Sequence, residues 1–196
     1  MSARRAVFLD RDGVINALVA DPHSGRPESP LKVADVALLS GVGEAMRRLA
    51  AAGFLLVGVS NQPAAAKGTV TQAELIAVQE RVITLLEAQD VRFDTFRICW
   101  HHPDGSDPAL RATCDCRKPA PQMLLDAAQA LNIDLANSWM VGDSHSDVLA
   151  GSNAGTLTVL IEHPASEHRR GLASAATLVA ADLPAAVSML LEYGEC

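Results

Sequence analysis

Short apolar runs alternate with stretches of helical periodicity along most of the chain, and that alternation leaves few architectures open. Residues 6–9, 54–59, 96–99, 139–141 and 157–161 read as strands buried on both faces. Val42, Ala45, Met46 and Leu49 recur at helical spacing, and Gly53 stops that helix. Thr71 with Glu74 three residues on forms a capping box for a helix carrying Leu75, Val78, Val82, Leu85 and Leu86. Residues 123–131, a segment from about Asp147, and a segment that Asp182-Leu183-Pro184 opens towards Tyr193 complete the predicted helices. Strands and helices in alternation predict an α/β fold, a Rossmann-like parallel sheet with helices on both faces. The 196 residues suit one domain, 1–196, with no repeat or linker to divide it. Ligands bind such sheets beyond the carboxyl ends of the strands. Asp10, Ser60 and Asp143 are each placed there, just after a strand.

Asp10-Arg11-Asp12-Gly13 sets two carboxylates at i and i+2 in a turn beyond the first strand. One carboxylate of such a pair can attack phosphorus and bind a metal; the other can donate and later accept a proton. Asp143, in Gly142-Asp143-Ser144-His145-Ser146-Asp147, is placed to complete an oxygen-rich Mg2+ site with Asp10. Asp147 either joins that metal through water or caps the next helix, where a carboxylate suits the helix dipole. Ser60-Asn61-Gln62 follows the second strand, and a hydroxyl with backbone N–H groups there can hold phosphoryl oxygens. Alone, Ser60 reads as an ordinary loop serine. Lys118, in Arg117-Lys118-Pro119, supplies the positive charge that an acidic cluster and a phosphate together require.

The net charge of −7 and the sparse aromatics exclude a nucleic-acid footprint. An acidic protein that handles phosphates must concentrate positive charge locally, through a metal and a few Lys or Arg. No apolar run approaches the ~18–20 residues that span a bilayer, and the apolar stretch after Arg4-Arg5 is too short for a signal peptide. The expectation is a cytoplasmic monomer that binds neither nucleic acid nor membrane. In a reducing compartment, close Cys and His spacing favours a metal over disulfides. Cys99, His101, Cys114 and Cys116 suit a closed tetrahedral Zn2+ site that ties down the polar loop of about 99–117. His102 competes with His101 for the fourth position, and Cys196 is left as a spare thiol.

Asp-x-Asp, then Ser, then Lys, then Gly-Asp-x-x-x-Asp, each near a strand end and in this order, resembles the haloacid dehalogenase superfamily. The resemblance implies that Asp10 attacks phosphorus and that Asp12 protonates the leaving oxygen, then activates water. It also implies Mg2+ held by the Asp10 carboxylate, the Asp12 carbonyl and Asp143, with Ser60 and Lys118 stabilising the phosphoryl group. Asp-Arg-Asp-Gly-Val-Ile-Asn, Ser-Asn-Gln, Cys-Trp-His-His-Pro-Asp-Gly and Cys-Asp-Cys-Arg-Lys-Pro narrow this. They resemble the D-glycero-D-manno-heptose 1,7-bisphosphate 7-phosphatase family, of which the histidinol-phosphate phosphatase domain is a close relative. The match runs from about Ala6 to Ile161. It puts zinc on Cys99, His101, Cys114 and Cys116, assigns Arg117 to substrate recognition, and implies a fold without a large cap. Arg11, Asn61, Gln62 and Ser144 are expected substrate contacts by their place in or beside these motifs.

Two departures stand out. The segment Ala17 to Pro30 is longer than the family's substrate loop, and Ser144-His145 follows Asp143 where the family often has Lys. Both fall on substrate contacts rather than on the phosphoryl machinery. A bisphosphate needs a second cationic site, so Arg26, His23 or His145 is expected to replace the missing lysine. The expected activity is Mg2+-dependent removal of the 7-phosphate of a phosphorylated sugar, heptose 1,7-bisphosphate, for the synthesis of a nucleotide-activated heptose. The alternatives are histidinol phosphate or another small phosphate ester, and a non-catalytic, zinc-stabilised binding module.

Overall fold

The computed structural model describes residues 3–21, 24–170 and 176–193. Its strands are β1 (Ala6–Leu9), β2 (Val19–Ala20), β3 (Pro27–Glu28), β4 (Leu55–Asn61), β5 (Thr95–Cys99), β6 (Trp139–Gly142), β7 (Leu157–Ile161) and β8 (Leu178–Ala180). Its α-helices are α1 (Val42–Ala51), α2 (Gln72–Glu87), α3 (Gln122–Leu131), α4 (His145–Ala154) and α5 (Leu183–Tyr193). Six strands form one sheet in the order β5-β4-β1-β6-β7-β8. Every neighbouring pair in it is parallel. From β1 the chain builds outward through β4 and β5, then returns to the other side of β1 for β6, β7 and β8. That reversal opens a crevice at the carboxyl end of β1, the place where ligands bind in such sheets.

Alternation along the strands divides the core into two layers. Val7, Leu9, Leu56, Trp139 and Val141 pack with α1, α2 and α5. Ala6, Phe8, Leu55, Val57 and Met140 face the other way, against α3 and α4. The sheet is thus covered on both sides, which is why its strands are continuous apolar runs. α2 starts where the capping box predicts. Thr71 Oγ1 accepts from Glu74 N at 3.2 Å, and Glu74 Oε2 accepts from Thr71 N at 2.7 Å.

Three differences from the sequence reading have physical causes. Ser60 and Asn61 belong to β4 rather than to the loop after it, because they pair with Ile98 and Cys99 of β5. α4 begins at His145, two residues before Asp147. β8, a three-residue edge strand, was not anticipated. Between β1 and α1 the described residues form the β2–β3 hairpin and a 3-10 turn, Val33–Asp35. No helix among the described residues is long and apolar enough to cross a membrane. His23 and Cys196 lie outside the described residues.

Candidate active site

Asp10 leaves the end of β1 with its N–H donating to the Val141 carbonyl at 3.0 Å, which ties the first acidic motif to β6. Asp143 follows β6, and the two motifs press together. A Cβ on Gly13, where φ is +92°, would lie 2.0 Å from Asp143 Oδ2, so only glycine admits this approach. Asp10, Asp143 and Asp147 bring carboxylate oxygens within 4.8 Å of one another, all buried.

Lys118 is the counter-charge. Its Nζ donates to Asp10 Oδ1 at 2.7 Å and to the Val59 carbonyl at 2.8 Å, and it pairs with Asp147 Oδ1 at 2.6 Å. Burial alone would lower the pKa of this amine. The charges of Asp10 and Asp147 outweigh that and hold it above the ordinary lysine value. Asp147 meets the capping expectation: its Oδ2 accepts from the backbone N–H of Ser144 at 3.1 Å, capping α4, and its other oxygen faces the acidic cluster.

The remaining carboxylates show what the site lacks in charge. Asp143 is fully buried, and neither of its oxygens has a hydrogen-bond partner. Burial first, then Asp10 and Asp147, push its pKa well above the ordinary carboxylate range. Burial likewise raises Asp10 to about 6, against the pull of Lys118. This buried carboxylate cluster, with both Asp143 oxygens free of hydrogen bonds, fits a hard divalent cation. Protons and that cation compete for the same oxygens. The raised pKa of Asp10 favours the protonated fold, so it costs stability as pH climbs from the ordinary carboxylate value through about 6, and that of Asp143 acts in the same direction. A cation recovers that loss. The rise in Tm on adding Mg2+ is therefore expected to be larger at about pH 7.5 than at about pH 5 by thermal unfolding. Equal rises at both would contradict these assignments.

Asp12 is held differently. It takes a two-pronged contact from Arg11, at 3.1 and 3.0 Å, and further bonds from Asn16 Nδ2 at 2.9 Å and Gln62 Nε2 at 2.6 Å. Burial pushes its pKa up, but Arg11 and these hydrogen bonds more than offset it, leaving the carboxyl below its ordinary value.

These contacts engage three residues expected as substrate contacts with the protein itself. Arg11 is completely buried, and its guanidinium is spent on Asp12 and on Gln79 Oε1 of α2. Gln62 is buried and donates to Asp12 and Ser60, linking the two rather than facing a ligand. Asn61 lines the cleft, but its amide exchanges hydrogen bonds with the Lys118 backbone, at 3.0 and 3.1 Å. It positions the lysine.

A cleft of about 340 Å³ opens over the cluster, lined by Asp10, Asp12, Ser60, Lys118, Asp143 and Ser144 among others. Arg117 also reaches it. Arg26 does not line it; it is exposed on the hairpin. His145 does not line it either. Instead the structure brings in Arg169, from the turn after β7, which sequence reasoning missed: one arginine in Glu167-His168-Arg169-Arg170 carries no motif. A larger cavity, 580 Å³, lies at the amino ends of the strands between Phe54, Trp139 and Tyr193, away from every carboxylate of the cluster.

Beside the cleft, Cys99, His101, Cys114 and Cys116 converge. Cys116 Sγ lies 3.1 Å from Cys99 Sγ, 3.2 Å from Cys114 Sγ and 3.5 Å from His101 Nδ1. His102 turns elsewhere, its Nδ1 accepting from Asp104 N. Three sulfurs and one imidazole nitrogen within 4.8 Å of one another form a donor set that suits tetrahedral Zn2+.

Fold, acidic cluster and buried lysine together define a phosphatase of the haloacid dehalogenase type, and the HAD-hydrolase-like family model matches residues 115–186. The chain belongs, more narrowly, to the heptose-1,7-bisphosphate 7-phosphatase family. It is 39% identical to D-glycero-beta-D-manno-heptose-1,7-bisphosphate 7-phosphatase of Escherichia coli K12, over 93% of each chain. The Vibrio cholerae enzyme of the same name is 37% identical, over 93% of this chain and 95% of its own. Among solved structures, D,D-heptose 1,7-bisphosphate phosphatase from B. bronchiseptica, complexed with magnesium and phosphate, superposes with a TM-score of 0.78. It is 29% identical, over 96% of this chain and 99% of that one.

Proposed function

We infer that the protein removes the 7-phosphate of D-glycero-D-manno-heptose 1,7-bisphosphate, leaving heptose 1-phosphate and inorganic phosphate. The observation that carries the reading is the Asp10–Lys118–Asp147 arrangement beneath an open cleft, with both Asp143 oxygens beside it free of hydrogen bonds. The relatives named for this substrate support it, as does the magnesium and phosphate complex of the B. bronchiseptica enzyme.

Asp10 attacks phosphorus with a carboxylate oxygen, forming an acyl phosphate as the bond to the sugar oxygen breaks. Lys118 holds Asp10 in place and, with Ser60, offsets charge on the phosphoryl oxygens. Asp12, held ionised by Arg11 at rest, first takes up a proton from solvent, gives it to the departing sugar oxygen, then takes one from the water that attacks the phospho-aspartate and returns it to solvent. Inorganic phosphate leaves and Asp10 is restored. Protonated Asp12 loses its ion pair with Arg11, so its acidic form has to swing out of the guanidinium fork. Asp10, Asp143 and the Asp12 carbonyl would hold Mg2+, which supplies charge stabilisation at the transferring phosphoryl group. Cys99, His101, Cys114 and Cys116 would hold a structural Zn2+ that braces the loop carrying Arg117 and Lys118.

Product analysis by 31P NMR tests the reading. With Mg2+, heptose 1,7-bisphosphate is expected to give inorganic phosphate and heptose 1-phosphate, faster than histidinol phosphate is cleaved. Faster cleavage of histidinol phosphate, or loss of the 1-phosphate, would contradict it.

A further inference from the structure

A hydroxyl that binds a phosphoryl group must point its single proton at that group. Ser60 lines the cleft, but a serine hydroxyl turns freely unless a neighbour holds it. Here the neighbour is Gln62. Its Nε2 donates to Ser60 Oγ at 2.9 Å and to Asp12 Oδ2 at 2.6 Å, and all three residues are buried. The Gln62 backbone N–H donates to the Cys99 carbonyl at 2.8 Å, which fixes the residue at the end of the β4–β5 pairing.

The direction of these hydrogen bonds follows from Asp12. Arg11 holds that group as a carboxylate, and a carboxylate only accepts. Gln62 must therefore turn its NH2 group, and not its amide oxygen, towards Asp12. An amide nitrogen cannot accept, so the Ser60 oxygen has to accept the second N–H. The Ser60 proton is left for another acceptor, and Ser60 Oγ makes no other hydrogen bond among the described residues. The charge on Asp12 thus sets the direction of the Ser60 O–H two hydrogen bonds away. This chain of bonds uses the Asp12 side chain and not the carbonyl assigned to Mg2+, so the cation competes for none of its atoms.

We propose that Gln62 is a positioning residue that locks the Ser60 hydroxyl with its proton aimed into the cleft, set for the transferring phosphoryl oxygens before substrate arrives. A donor fixed in advance acts most strongly where charge develops in the transition state. The effect is exerted on Ser60 rather than on Asp12. Without Gln62, Asp12 keeps the Arg11 fork and Asn16, whereas Ser60 keeps no hydrogen bond among the described residues. The proposal rests on the phosphatase reading, in which Ser60 holds the phosphoryl group.

Steady-state kinetics with Mg2+ and heptose 1,7-bisphosphate provide the test. Gln62→Met keeps the length of the side chain and removes both donors. It is expected to lower kcat about 10-fold while KM moves less than about 3-fold, because the loss falls in the transition state. Orthovanadate, which mimics that state, is expected to inhibit about 10-fold more weakly, with inhibition by inorganic phosphate changed less than about 3-fold. In a Ser60→Ala background, itself slowed about 10²-fold, the same substitution is expected to cost less than about 2-fold, since the hydroxyl it serves is gone. Gln62→Glu brings at most one proton where two are needed, so it too is expected to lower kcat, and it carries the test if Gln62→Met fails to fold. An unchanged kcat in either folded variant, or an equal loss with and without the Ser60 hydroxyl, would overturn the proposal. Wild-type protein that releases no phosphate, or full activity in Ser60→Ala, would overturn the underlying reading and the proposal with it, so the two failures are distinct.

Discussion

Asp10→Asn is expected to abolish phosphate release, by at least about 10³-fold in kcat, while leaving the protein folded. An amide cannot form the acyl phosphate, so no part of the pathway survives the change. The fold is expected to tolerate it because the site carries surplus negative charge. Burial, together with Asp147 and Asp12, raises Asp10 to about 6, which means that its charge is held against a penalty. Asparagine removes that penalty. Lys118 keeps Asp147 at 2.6 Å and the Val59 carbonyl at 2.8 Å, so the lysine is not stranded. Circular dichroism and a thermal melt, run beside the phosphate assay, separate lost chemistry from lost structure. Full activity in Asp10→Asn would rule out the covalent route.

Cys114→Ser is expected to release the zinc and to unfold the loop around it, with a fall in Tm of about 10 °C or more. Three thiols packed within 3.1 to 3.6 Å of one another repel as thiolates unless a cation lies among them. Structural zinc in small domains supplies folding free energy on the order of 10 kcal/mol, far above what this polar loop gains by packing. Activity falls with it, because the loop leads directly into Arg117 and Lys118. Metal analysis should find about one zinc per wild-type chain and much less in the variant. Wild-type protein free of zinc, with an unchanged melt for Cys114→Ser, would show the cluster to be ordinary thiols.

The strands that sequence reading placed best are those buried on both faces. Ala6–Leu9 and Leu157–Ile161 have the predicted bounds, since each is an apolar run closed by a polar residue. The Thr71–Glu74 box located α2 because its signal is local. The acidic and Cys/His clusters were legible for a related reason: their chemistry demands particular residue types at close spacing. Long-range pairing was not legible. Ser60 and Asn61 look like loop residues until β5 is beside them. Arg11 looks like a surface cation until Gln79, far along the chain, closes over it. Arg26 and Arg169 are equal as letters, and only the tertiary fold decides which one reaches the cleft.

A phosphate carried transiently by Asp10 is the centre of the mechanism, and trapping it is the most direct test. Acid quenching during turnover with heptose 1,7-bisphosphate and Mg2+, followed by peptide mass spectrometry, should find phosphate on Asp10. The same label should be absent from Asp10→Asn. Phosphate on another residue, or rapid turnover with no phosphorylated peptide at any quench time, would contradict the mechanism.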